Sequence, residues 1–190
     1  MQNTRVENPG DLLIVDDLAD NLRILSNTLS SQGYRVRAVK NGTMALIGAK
    51  AVPPDVILLD IRMPGMDGYE VCGQFKADPQ LCDIPIIFLS ALDEMEDKAK
   101  AFSLGGADYI TKPFQTEEVL ARVKNQLTIQ NLKKQVAKQK QQLEQLAVAL
   151  PAILESSTRL CQNPAIDPEQ NAALEVIQRN SQILLNLVNT

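Results

Sequence analysis

The stretch VILLDIRMPGMDGYEVC, residues 56–72, reads as a strand, a turn and the start of a helix. Its apolar run is continuous up to Asp60, which is the pattern of a strand buried on both faces of a sheet rather than on one. Met63-Pro64, Gly65 and Gly68 then supply turn residues. A helix is expected from about Gly68 to Ala77.

The same alternation extends in both directions. Upstream, LLIV (12–15) precedes a helical stretch from about Leu18 to Gln32, and YRVRAV (34–39) precedes a helix opening at Asn41. Downstream, IPIIFLS (84–90) is followed by a helix from about Ala91 to Leu104 and by the short strand ADYI (107–110). Gly33, Asn41-Gly42, Pro53-Pro54 and Gly105-Gly106 fall at the junctions, where helices stop or start. Five strands alternating with helices predict an α/β fold, a doubly wound parallel sheet covered by helices on both faces.

From Thr116 onward the strand signal ends and Gln, Lys, Leu and Ala dominate. Val119, Leu120, Val123 and Leu127 have helical spacing and suit a last helix packed on the sheet. Beyond them Ile129, Leu132, Val136, Leu143, Leu146, Leu150 and Ile153 follow a heptad seam broken by Gln139. A helix from about Thr116 to Leu160 would extend on the order of 65 Å. CQNPAIDPE then turns the chain, with Asp167 as N-cap and Pro168 in the first turn of a second helix whose stripe is Leu174, Ile177, Ser181, Leu184 and Val188. The expected organisation is a tail over 1–10, an α/β domain over 11–128 and an all-α helical hairpin over 129–190. Two hairpins would cover each other's stripes as a dimeric four-helix bundle, so a homodimer through 129–190 is expected. The end, ILLNLVNT, lies within an apolar stripe without a stop signal, as in a fragment of a longer protein.

Composition narrows the function. Of 190 residues, 45% are hydrophobic and 22% charged, and the net charge is −4. This is globular and acidic, so direct DNA binding is not expected. Lys133, Lys134, Lys138 and Lys140 lack interleaved aromatics and read as a solvated helix face. No signal-like or membrane-spanning pattern is present, which gives a cytoplasmic expectation and no membrane partner. Cys72, Cys82 and Cys161 are scattered and odd in number, which suits reduced thiols. The chain contains no histidine, so chemistry must come from carboxylates, hydroxyls, lysine or a metal.

Those groups lie at the strand ends, where open parallel sheets bind ligands. Asp16 and Asp17 follow the first strand, Asp60 ends the third, Ser90 the fourth, and Lys112 follows the fifth. A strand-end Asp commonly caps the next helix, and that alone would explain Asp17 or Ser90 singly. It does not explain an acidic pair, a third acid, a hydroxyl and a lysine at one edge. Three converging carboxylates call for a cation, and an all-oxygen set suits Mg²⁺ or Mn²⁺. Lys112 can pair with Asp60 and, with Ser90, neutralise phosphoryl oxygens, so that Asp60 acts as nucleophile and forms an aspartyl phosphate.

Residues 11 to about 127 resemble the receiver domain of two-component response regulators. LLIVDD, VILLDIRMPGMDGYEVC, PIIFLSA and DYITKPF carry the resemblance, with 43 residues from Asp17 to Asp60, 30 from there to Ser90 and 22 more to Lys112. The resemblance implies a flavodoxin-like sheet of order 2-1-3-4-5 and a cis peptide at Lys112-Pro113. It implies Asp60 as phosphoacceptor, Mg²⁺ bound by Asp17, Asp60 and the backbone carbonyl of Arg62, and Asp16 contacting it through water. Ser90 and Tyr109 become the switch pair. The donor would be a sensor histidine kinase or a phosphotransfer protein. Such a chain is a phosphoacceptor rather than an enzyme, with at most slow self-dephosphorylation.

The hairpin over 129–190 weakly resembles the dimerisation helices of histidine kinases, but Glu144 or Leu146 stands where their histidine belongs. The expected function is a response regulator that passes the change at Asp60 along a long helix to a dimeric output module. Two other readings are a haloacid-dehalogenase-like phosphatase with an aspartyl phosphate intermediate, and an adaptor made of a receiver plus a degenerate dimerisation fragment of a hybrid sensor kinase.

Overall fold

In the computed structural model, which describes residues 10–91, 95–162 and 167–188, five strands form one parallel sheet: β1 (Asp11–Val15), β2 (Arg35–Val39), β3 (Val56–Asp60), β4 (Ile86–Ser90) and β5 (Asp108–Thr111). Their order is β2-β1-β3-β4-β5. The crossovers carry α1 (Ala19–Ser30), α2 (Gly42–Ala51), α3 (Gly68–Ala77) and α4 (Met95–Ser103). Two further helices follow, α5 (Thr116–Cys161) and α6 (Pro168–Val188). Most of the expected tail over 1–10, the start of the helix expected from Ala91 and the middle of the turn before Asp167 lie outside the described residues.

Strand alternation divides the apolar side chains into two cores. Leu13, Val15, Ile57, Leu59, Ile86 and Phe88 pack on one face with Ala45 and Ala49 of α2, Val71, Cys72 and Phe75 of α3 and Ala101 of α4. Leu12, Ile14, Val56, Leu58, Ile87, Leu89 and Ile110 pack on the other with Leu22, Leu25 and Leu29 of α1 and Val119, Val123 and Leu127 of α5. This two-sided burial is why residues 12–15 of β1, 56–59 of β3 and 86–89 of β4 are continuously apolar, with polar residues only at the strand ends. The edge strand β2 instead carries Arg35 and Arg37, both ion-paired to Asp11 at 2.7 and 2.9 Å, a charged edge that discourages further pairing.

Local chemistry sets the helix starts. Asn41 caps α2 by accepting from the Met44 N–H at 2.9 Å. Asp67 and Glu70 cap α3 reciprocally, side chain to backbone, at 2.8 and 3.0 Å, a capping box. Asp167 accepts from the N–H groups of Glu169 and Gln170 at 2.9 Å, as its position before Pro168 predicts. α1 differs: its N-cap is Leu18, without a side-chain cap, so Asp17 does not serve as one.

The chain divides into two compact units, the first ending at Asn131 and the second beginning at Leu132. In the second, the distal part of α5 packs on α6, Gln178 donates to Thr158 at 3.0 Å, and Leu150, Ser157 and Ser181 are buried. Pro151 lies inside α5 and has no N–H to give the Ala147 carbonyl.

Candidate functional site

Parallel register brings four strand ends level. Val15 stands beside Leu59, Asp60 beside Leu89, and Ser90 beside Thr111, so the residues that leave β1, β3, β4 and β5 emerge at one edge. The helix after β3 starts tightly there: the Gly68 N–H donates to the Ile61 carbonyl at 2.9 Å. A Cβ on Gly68 would fall 2.2 Å from the Asp60 carbonyl oxygen, so only glycine fits. Gly65, with φ of 83°, makes the turn before it.

The structure brings together Asp16, Asp17 and Asp60, with one oxygen of each within 4.8 Å of the others. Lys112 Nζ lies 2.9 Å from Asp60 Oδ2 and 2.9 Å from Asp16 Oδ2. The sequence pairs this lysine with Asp60; the fold divides it between two aspartates. A cavity of about 240 Å³ opens over the cluster, lined by Asp17, Asp60, Arg62, Ser90 and Lys112 among others. Asp16 is fully buried beneath it.

Asp16 is also saturated with donors. Its Oδ1 accepts from the Leu18 N–H at 2.9 Å and from Asn21 Nδ2 at 3.0 Å, and its Oδ2 from Asn21 at 2.9 Å as well as from Lys112. Asn21 was not legible as part of the site. Its only signal is a polar residue in the first turn of the helix that leaves the acidic pair.

Ser90 Oγ is buried with no hydrogen-bond partner among the described residues. A hydroxyl orphaned in this way costs about 1–3 kcal/mol unless something at the cavity meets it. Tyr109 does not line that cavity. Its ring meets Phe102 of α4 edge-on at 6.1 Å between centroids, and the Arg122 guanidinium of α5 stands 5.1 Å from the ring centre. The Lys112-Pro113 peptide is cis.

Three carboxylates face one ammonium, and the proton affinities register the imbalance. Burial is the largest influence on Asp60 and raises its pKa, with the Asp16 charge adding to it. Lys112 and the Arg62 N–H pull it down but do not prevail. Burial also opposes the Lys112 charge, yet its bonds to Asp60 and Asp16 outweigh this and raise its pKa. An oxygen-only, negatively unbalanced cluster fits a hard divalent cation.

Residues 12–124 match the family model described as the response regulator receiver domain, and the chain belongs to that family. It is 40% identical over 114 residues to the response regulator PleD of Caulobacter vibrioides, covering 60% of this chain and 25% of PleD. With the DNA-binding dual master transcriptional regulator RpaA of Synechocystis it shares 37% identity over 134 residues, 70% of this chain and 56% of RpaA. The chain thus spans between about a quarter and just over half of these relatives. Among solved structures, the receiver domain of a signal transduction histidine kinase from Syntrophus aciditrophicus superposes with a TM-score of 0.59 at 35% identity, over 63% of this chain and 90% of that one. The chemotaxis response regulator CheY4 of Vibrio cholerae does so with 0.58 at 30% identity, over 61% and 97%. Membership in this family sets aside the phosphatase alternative. Among the described residues no helix is long and apolar enough to cross a membrane.

Proposed function

We propose that Asp60 accepts a phosphoryl group from a sensor histidine kinase or a phosphotransfer protein in the cytoplasm. The observation that carries this is the Asp60 carboxylate at the cavity, tethered by Lys112 and flanked by the unpartnered Ser90 hydroxyl. An Asp60 carboxylate oxygen attacks phosphorus; a P–O bond forms, the P–N bond to the donor imidazole breaks, and its electron pair stays on nitrogen. Lys112 pairs with one oxygen of the transferred group and Ser90 donates to another. Mg²⁺ or Mn²⁺, held by Asp17, Asp60 and the Arg62 carbonyl, with Asp16 set back by a water, would supply the remaining positive charge. Tyr109 then turns inward beside Ser90.

Output passes along α5 into a homodimeric bundle built from the second unit. Leu132, Val136, Leu143, Leu146 and Ile153 of α5 and Ile177, Leu184 and Leu187 of α6 are exposed in the single chain, the kind of apolar surface that monomeric proteins rarely leave uncovered. With no histidine in the chain, the hairpin relays no phosphoryl group. A receiver attached to a sensor kinase, as in the Syntrophus structure, keeps the adaptor reading open as a second one. Incubation with acetyl phosphate and Mg²⁺ should add one phosphoryl group to the protein by mass spectrometry and none to Asp60→Asn; equal labelling of the variant would overturn the assignment.

A further inference from the structure

The face away from the cavity holds a cluster that phosphoryl transfer does not use. Arg122, on the first turns of α5, donates through Nη1 to Asp108 of β5 at 2.5 Å and through Nε to Glu118 one turn earlier at 2.9 Å. Two carboxylates from two elements therefore fix the plane and position of the guanidinium, and a fixed fork loses little entropy when it holds a third group. That third group is the ring of Tyr109, 5.1 Å from Arg122 Cζ. On its α4 side the same ring makes a T-shaped contact with Phe102. Tyr109 is thus gripped from both neighbouring helices, and by a cation that is itself anchored to β5 and α5.

We propose that Arg122 is a clamp that holds the Tyr109 ring away from Ser90 and so sets how readily phosphorylation of Asp60 turns the switch. This rests on the phosphoacceptor reading and specifies its regulation. An inward turn carries the ring away from a guanidinium that cannot follow, because Asp108 and Glu118 retain it. The cation–π attraction therefore stabilises the resting conformation alone, and a ligand that selects the inward state must overcome it. Since Arg122 lies on α5, releasing the ring also removes a tie between β5 and the helix that continues into the second unit. The clamp is the step at which a charge on Asp60 becomes a change in α5.

The test is a double-mutant cycle on the full chain. Half-saturation by beryllofluoride with Mg²⁺, followed by tyrosine fluorescence and by NMR of the ring of Tyr109, is compared in wild type, Arg122→Met and Arg122→Lys. Removing the cation while keeping the apolar stem should tighten apparent binding roughly two- to five-fold, the range of an exposed cation–π contact. Lysine, which keeps the charge, should restore most of the wild-type value. In a Tyr109→Ala background, where binding is followed by ¹⁹F NMR of bound fluoride, Arg122→Met should have no effect, because no ring remains to be held. An equal effect in that background, or none in the presence of Tyr109, overturns the clamp while leaving the phosphoacceptor reading intact. Failure of the wild type itself to saturate overturns the phosphoacceptor reading, and the clamp with it.

Discussion

Asp60 carries an energetic conflict. Its carboxyl is buried beside two other aspartates, and burial raises its pKa despite Lys112. The folded state then holds the Asp60 proton more tightly than the unfolded chain does. By linkage, this group favours the fold at low pH, and its contribution is lost as pH rises through the carboxyl range. Asp60→Asn removes the charge and keeps the shape, so in metal-free buffer at neutral pH it should be more stable than wild type. The difference should shrink as the pH is lowered and wild-type Asp60 protonates. Thermal melts of both proteins across pH check this; a variant less stable at neutral pH would refute it. At this scale the sequence shows which residue types reach the edge. It does not show how they share partners: Lys112 bonds Asp16 across 96 residues of chain, a distance that strand patterns do not encode.

At the level of elements, capping signals in the chain translate directly into helix starts, because a cap involves neighbours within about four residues. Asn41 and Asp167 behave as their positions predict, and Asp67, hidden among the turn residues before Gly68, caps α3 in the same way. α1 is the exception, since Asp17 is taken up by the carboxylate cluster and α1 starts uncapped at Leu18. Gly68 shows the opposite limit. In the chain it reads as one more turn residue, but its need for glycine arises from the Asp60 carbonyl passing 2.2 Å from where a Cβ would stand. Gly68→Ala must push α3 away from the end of β3, at a penalty of about 1–3 kcal/mol, typical of overpacking. It should also slow labelling of Asp60, whose backbone moves with the junction. Wild-type stability together with a wild-type labelling rate would show that the junction absorbs the methyl without displacement.

For the whole molecule, the two units follow different rules. The first is finished as a single chain, with both faces of its sheet covered. In the second, only Leu150 among the α5 seam residues is buried, at 4% exposure, while Val136 stands at 63% and Leu132 at 55%. Light scattering of the full chain should give twice the 20.9 kDa mass of one copy, and the pair Val136→Glu, Leu143→Glu should return it to one. A single-copy mass for the wild type would reject the dimeric bundle. Repeating the measurement with beryllofluoride tells whether phosphorylation changes assembly or acts within a permanent dimer.

What the sequence by itself determined is what repeats or punctuates locally. Continuous apolar runs set a buried parallel sheet, and the acids, hydroxyl and lysine that end those runs gather the candidate site at their carboxyl edge, with 43, 30 and 22 residues between its members. Only the tertiary structure decided how these groups are wired: Lys112 shared between Asp16 and Asp60, Asn21 holding Asp16, Gly68 against the Asp60 carbonyl, and Tyr109 gripped by Phe102 and Arg122. The physical reason is range. Burial and capping act on each residue and its near neighbours, whereas hydrogen bonds and ion pairs depend on ångström distances between elements whose separation along the chain carries no such information.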